Sequence, residues 1–137
     1  MKAKNLIEEY DAWTQCANGR NSEGKCLGVH EPDTTSWCAV GAIYKTYEKD
    51  QRLREETFEK LADYLVENHR EELDYIGGVV ERYLEHGEKG ERRVTDAQWI
   101  IQTLNDWGWD PVRTVAKTTE SKASHGTILF AMQSLDI

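Results

Sequence analysis

The segment Asp33-Thr34-Thr35-Ser36-Trp37-Cys38-Ala39-Val40-Gly41-Ala42-Ile43-Tyr44 decides the fold. Asp33, Thr34, Thr35 and Ser36 are all capping residue types. They stand before an apolar series at Trp37, Val40, Gly41 and Tyr44, broadened by Ala39, Ala42 and Ile43, so the spacing predicts a helix that starts there. The stretch from Thr34 to Tyr44 carries no charge and has small residues at 39, 41 and 42. Such a helix should be the central, most buried one, with Gly41 and Ala42 small because neighbours pack tightly against them.

The segments on either side repeat the helical period. Upstream, Leu6, Ile7, Tyr10, Trp13 and Ala17 predict a first helix. Asn18 to Lys25, with Gly19 and Gly24, ends it, and Gly28 and Pro32 keep the chain irregular to about Asp33. Loops that long within one domain are uncommon and often serve binding, although a short β-hairpin inside 18–33 is an alternative. Downstream, Phe58, Leu61, Ala62 and Leu65 form one helical stripe, and Leu73, Ile76, Val79, Val80, Tyr83 and Leu84 another. Gly77-Gly78 costs that second helix about 2 kcal/mol relative to alanines, which marks a kink or a close crossing. Gly87 to Gly90 ends it. Thr95-Asp96-Ala97-Gln98 fits a capping box and predicts a fifth helix running to Trp107. Asp110-Pro111 launches a short sixth over Val112, Val115 and Ala116. Ile128, Leu129, Met132 and Leu135 form a seventh, with Thr127 to Phe130 as a possible strand instead. The expected architecture is all-α: one domain over residues 1–137, a bundle of six or seven helices.

Composition narrows the function classes. The 137 residues carry a formal charge of −8, with 39% hydrophobic and 31% charged residues. That charge repels phosphate backbones, which argues against direct nucleic-acid binding. Ten acids against five bases fall between Glu48 and Asp74, and this face would suit a basic protein partner. No run approaches the length needed to cross a bilayer and Met1 to Asn5 does not open a signal-like stretch, so a cytoplasmic protein is expected.

Three cysteines, Cys16, Cys26 and Cys38, do not make a complete disulfide set. With His30 they could formally hold zinc, but gaps of nine and eleven residues between the cysteines lack the close Cys-x₂₋₄-Cys pair of structural sites. No metal or cofactor is expected. Gly-x-Gly-x-x-Gly, phosphate-loop and His-Glu-x-x-His motifs are absent from the sequence, and His125-Gly126-Thr127 is an unpaired half-motif.

The stretch from Trp13-Thr14-Gln15 through the glycine-containing loop to Ser36-Trp37-Cys38-Ala39-Val40-Gly41-Ala42-Ile43, with the later Asn105-Asp106 before Gly108-Trp109-Asp110, resembles a family of small bacterial and phage domains of unknown function. That family has a Trp-Cys-x-x-Gly-Ala helix and a later Asn-Asp turn. The resemblance spans about half of the chain and implies no activity, but it implies that the two patches matter jointly.

The favoured reading is therefore a non-enzymatic binding protein of bacterial or phage accessory type. The loop, the start of the Cys38 helix and the Asn105 to Trp109 turn should converge to hold a protein partner or a small, planar or anionic ligand. Arg20 and Lys25 would contact an anion, assisted by Ser36 and the backbone N–H groups nearby. Trp37, Cys38, Asn105, Asp106, Trp107 and Trp109 complete the candidate site, with Trp107 and Trp109 as exposed anchors at its rim. Trp37 and Trp99, on apolar stripes, should be core. The runner-up is a thiol hydrolase: Cys38 in the first turn of its helix as nucleophile, His30 as base and Asp106 as orienting group. A third reading uses the 48–74 acidic face to inhibit a basic or nucleic-acid-binding protein.

Overall fold

A computed structural model describes residues 1–85, 91–108 and 119–137. Among them are six α-helices: α1 (Ala3–Leu6), α2 (Ala39–Thr46), α3 (Gln51–Asn68), α4 (Gly77–Glu85), α5 (Glu91–Asn105) and α6 (Thr119–Leu135). Two short strands, β1 (Gly19–Arg20) and β2 (Ser36–Trp37), pair antiparallel with Gly19 opposite Trp37 and Arg20 opposite Ser36. The expected helical bundle is thus present. The hairpin closes the base of the long loop rather than lying wholly within 18–33. The helix expected at Val112 to Ala116 falls outside the described residues, as do Trp109 and the 87–90 break.

Four long helices build the core from their periodic stripes. Phe58, Leu61, Ala62 and Leu65 of α3 meet Val80 and Tyr83 of α4, Ala97, Ile100, Ile101 and Leu104 of α5, and Ile128, Ala131 and Met132 of α6. The Asp50 side chain caps α3 by accepting from the Leu53 amide at 3.0 Å. Arg82 of α4 grips the buried Asp96 of α5 through two bonds of 2.9 and 2.7 Å. The Tyr83 hydroxyl donates to Asp63 at 2.7 Å while the Arg93 guanidinium covers its ring. These polar ties fix the angle between α3, α4 and α5 beside the apolar stripes.

Helix α2 is buried from Ala39 to Ile43, as its composition predicts. Gly41 is small for a definite reason: a methyl group there would sit 2.0 Å from the Asn18 carbonyl oxygen. The close neighbour is the backbone of the loop, not another helix.

Several boundaries depart from the sequence reading. Helix α1 is one turn long, and the chain then passes through a 3-10 turn at Tyr10–Ala12 into extended backbone at Trp13. Ile7 and Trp13 still reach the core, so their spacing was compatible with a path that is not a continuous helix. Thr34, Thr35 and Ser36 do not cap α2, because Ser36 and Trp37 are committed to β2 and Cys38 takes the capping position. Helix α5 starts at Glu91, ahead of the expected capping box at Thr95. Residues 127–130 are helical, not a strand. Gly77 and Gly78 open α4 after a 3-10 turn, and a methyl group added at either would meet no atom within 4 Å, so they mark a helix start rather than a close crossing.

Candidate functional site

The start of α2 is where the early loop and the late Asn-Asp turn meet. Thr14 N–H donates to the Trp37 carbonyl at 3.0 Å, which fixes the extended strand at Trp13 beside β2. Asn105, at the end of α5 and 0% exposed, joins three elements. Its Oδ1 accepts from Trp13 Nε1 at 2.8 Å and from the Ala39 amide, the first of α2, at 2.9 Å. Its Nδ2 donates to the Thr14 carbonyl at 3.1 Å and to Asp106 Oδ1 at 3.0 Å. Asp106 also accepts from the Cys16 amide at 2.8 Å, where Cys16 is held in the left-handed region at φ 56°. Gln15 Nε2 donates to the carbonyls of Asn105 and Trp107 at 3.0 and 2.8 Å.

This convergence consumes Asn105 and Cys38, two of the groups expected to bind. Asn105 is saturated by internal bonds and buried, so it is a structural knot and not a ligand contact. The Cys38 thiol, fully buried, accepts from the Gly41 amide at 3.2 Å. The Thr35 amide, expected to assist an anion, donates to the Arg20 carbonyl at 2.9 Å, and the Ala39 and Gly41 amides of α2 are taken by Asn105 and Cys38. Ser36 is buried in β2, and Trp37 is half-buried with its indole N–H on the Val29 carbonyl at 3.0 Å.

The thiol-hydrolase arrangement is not assembled. Burial pushes the Cys38 thiol up to about 12, the reverse of what activates a nucleophile. His30 pairs with Glu48 at 2.8 Å and makes no bond to Cys38. Asp106 holds Cys16, Gln102 and Asn105 instead of a histidine. The four residues of the formal zinc set do not cluster: among the described residues no group of three or more His, Cys, Asp or Glu could hold a metal ion.

Arg20 also commits two of its three guanidinium nitrogens to structure. Only 9% exposed, it sends Nη1 to the Gly24 carbonyl at 2.9 Å and the Cys26 sulfur at 3.3 Å, and Nη2 to the Gln15 carbonyl at 3.0 Å. It braces the loop from inside, while Lys25 is exposed, its ammonium unpaired among the described residues. The loop is well tied: Asn21 Oδ1 accepts from the amides of Glu23 and Lys25, and Gly24 turns the chain at φ 85°. Trp107 remains exposed at 41%, leaning on Tyr75 at 6.3 Å between ring centres.

Beside this knot a cleft of about 870 Å³ separates the loop from α2 and α5. Cys16, Asn18 and Cys26 to Val29 form the loop side; Val40, Tyr44, Gln98, Trp99 and Gln102 form the helix side. Trp99, expected in the core, is 51% exposed there. The buried face of α5 is Ala97, Ile100, Ile101 and Leu104, the i, i+3, i+4, i+7 set, and Trp99 lies off it. That offset is the signal that could have placed it outside. Gln98 donates to the Tyr44 hydroxyl at 2.9 Å, and Gln102 donates to Asp106 at 2.8 Å. The side-chain carbonyl of Gln98 and the side-chain N–H groups of Asn18 are left as an acceptor and a donor without partners among the described residues.

No described helix is long and apolar enough to cross a membrane. No protein-family model, curated protein or solved structure matches the chain.

Proposed function

We propose that the chain is a non-enzymatic binding protein, of bacterial or phage accessory type and acting in the cytoplasm, that holds a small planar ligand in the cleft between the loop and α5. The observation that carries this reading is Trp99, a half-exposed indole on the side of an 870 Å³ cleft, with Gln98, Asn18 and Tyr44 around it. A cleft of that size lies in the range that encloses drug-sized ligands. The indole offers a stacking face, and the open amide groups can read a hydrogen-bonding edge. The Asn105 knot supports the same reading, because it holds both sides of the cleft in fixed register and so reduces the ordering cost of binding.

The test is a panel of planar heteroaromatic compounds (purines, pyrimidines and pterins) titrated into the wild type and Trp99→Ala, followed by tryptophan fluorescence and calorimetry. At least one compound should bind the wild type and lose about tenfold or more in affinity to Trp99→Ala, in line with a stacking contribution of ~1–3 kcal/mol. Trp99→Ala should unfold within about 1 kcal/mol of the wild type, as expected for an exposed position. Equal binding to both proteins would end the assignment.

A further inference from the structure

A second cleft, of about 680 Å³, lies against β1 and β2, lined by Glu9, Asp11, Thr14, Arg20, Thr35 and Ser36 among others. Thr14 and Ser36 are 6% and 8% exposed, and their hydroxyls make no hydrogen bond among the described residues and keep some contact with solvent where they line the cleft. The Arg20 Nε–H is buried and unpartnered. Among the described residues no carboxylate forms an ion pair with that guanidinium: its partners are two carbonyls and a thiol.

Burying a cation without a counter-charge is costly, and a neutral carbonyl offsets less of that cost than a carboxylate does. Two acids, Glu9 and Asp11, line the same cleft with exposed side chains that stay out of ion-pair range of Arg20. A bare anion would be drawn to Arg20 and repelled by that pair. A ligand with a carboxylate at one end and an ammonium at the other matches both.

We infer that this cleft is a binding site for a small zwitterion of the amino-acid type. The carboxylate lies toward Arg20 and accepts from the hydroxyls of Thr14 and Ser36, and the ammonium faces Glu9 and Asp11. A free amino acid and a short peptide share this chemistry. The site is separate from the Trp99 cleft and does not depend on what occupies it.

The experiment follows backbone amide shifts of the ¹⁵N-labelled full chain during titration with glycine, glycylglycine, acetate and methylammonium. Glycine or glycylglycine should move the amides of Asn21, Ser22, Thr35 and Ser36 in a saturable way. Acetate and methylammonium should bind about tenfold more weakly or worse. Tighter binding of glycine assigns a free amino acid, and tighter binding of glycylglycine a peptide. Arg20→Ala can loosen the loop, so the deciding variants are Glu9→Gln with Asp11→Asn, which alter exposed side chains, and Ser36→Ala. The double variant should weaken the zwitterion about tenfold while acetate binds as well as before or better. Ser36→Ala should weaken the zwitterion and acetate alike. No saturable shift with either zwitterion, acetate as tight as glycine, or shifts confined to Trp99 and its neighbours would overturn the inference. None of these results bears on the planar-ligand test at Trp99.

Discussion

Replacing Asn105 with alanine removes the one side chain that ties Trp13, the Thr14 backbone, the start of α2 and Asp106 together. Two donors are then stranded in a buried setting: the indole N–H of Trp13, 2.8 Å from the lost oxygen, and the Ala39 amide, 2.9 Å from it. Each unsatisfied buried donor costs about 1–3 kcal/mol, and the second is also a lost helix cap. Together they predict a loss of about 3–5 kcal/mol, a large fraction of the ~5–15 kcal/mol that holds a domain folded. For a chain of this size that lowers Tm by about 10–15 °C. Urea titration followed by far-ultraviolet circular dichroism measures it. Asn105→Asp separates the two halves of the knot: it keeps both acceptor bonds but sets a carboxylate against Asp106, 3.0 Å from the present amide nitrogen. That variant should be destabilised at neutral pH and recover partly on mild acidification, when one carboxyl of the pair protonates. A loss below about 1 kcal/mol for Asn105→Ala would refute the view that this residue organises the site.

Other expectations follow from single positions. Gly41→Ala should destabilise despite alanine's helix propensity advantage of about 1 kcal/mol, since its methyl would meet the Asn18 carbonyl; a urea midpoint at or above wild type would contradict this packing. Native protein treated with iodoacetamide should be modified first at the exposed Cys26, slowly at Cys16, whose thiol is pushed up to about 12 by burial and by Asp106, and not at Cys38 until urea is added, as read by peptide mass spectrometry. Because burial raises the Cys38 thiol from 9.0 to about 12, its contribution is complete below pH 9 and declines between pH 9 and 12, where the unfolded thiol ionises and the native one does not. Stability measured from pH 9 to 11 should therefore fall less steeply for Cys38→Ser, by at most about 1.4 kcal/mol per pH unit. Asp136, held down to about 2 by Lys2 and Lys4, stabilises the folded state above the ordinary carboxylate range, an effect lost as pH falls toward 2. Lys2→Ala with Lys4→Ala should return its titration, followed by carboxyl carbon shifts, to near 3.8.

The helical part of this fold was legible because its forces are periodic. The stripes of α3, α4, α5 and α6 are read directly from residue spacing, and the apolar run from Ala39 to Ile43 announces a buried α2. The first twenty residues were not legible in the same way. Leu6, Tyr10 and Trp13 stand at helical intervals and lie in or against the core, but the path between them is set by the Thr14–Trp37 backbone bond and the Trp13–Asn105 bond, which join positions 23 and 92 residues apart. The meeting of the early loop with the Asn-Asp turn was anticipated. Its consequence was not: Asn105 and Cys38 spend their hydrogen bonds on groups around them, which leaves the planar-ligand cleft to their neighbours. Trp99 was assigned to the core as a member of an apolar stripe, although its position off the 97–100–101–104 face marked it as exposed.

Native mass spectrometry of the chain purified from its own source, run beside Trp99→Ala prepared identically, tests the central claim most directly. The wild type should carry one small planar molecule per chain, and the variant should not. A wild type that carries no such molecule, or a variant that retains the same one, would contradict the proposal that the Trp99 cleft is the binding site.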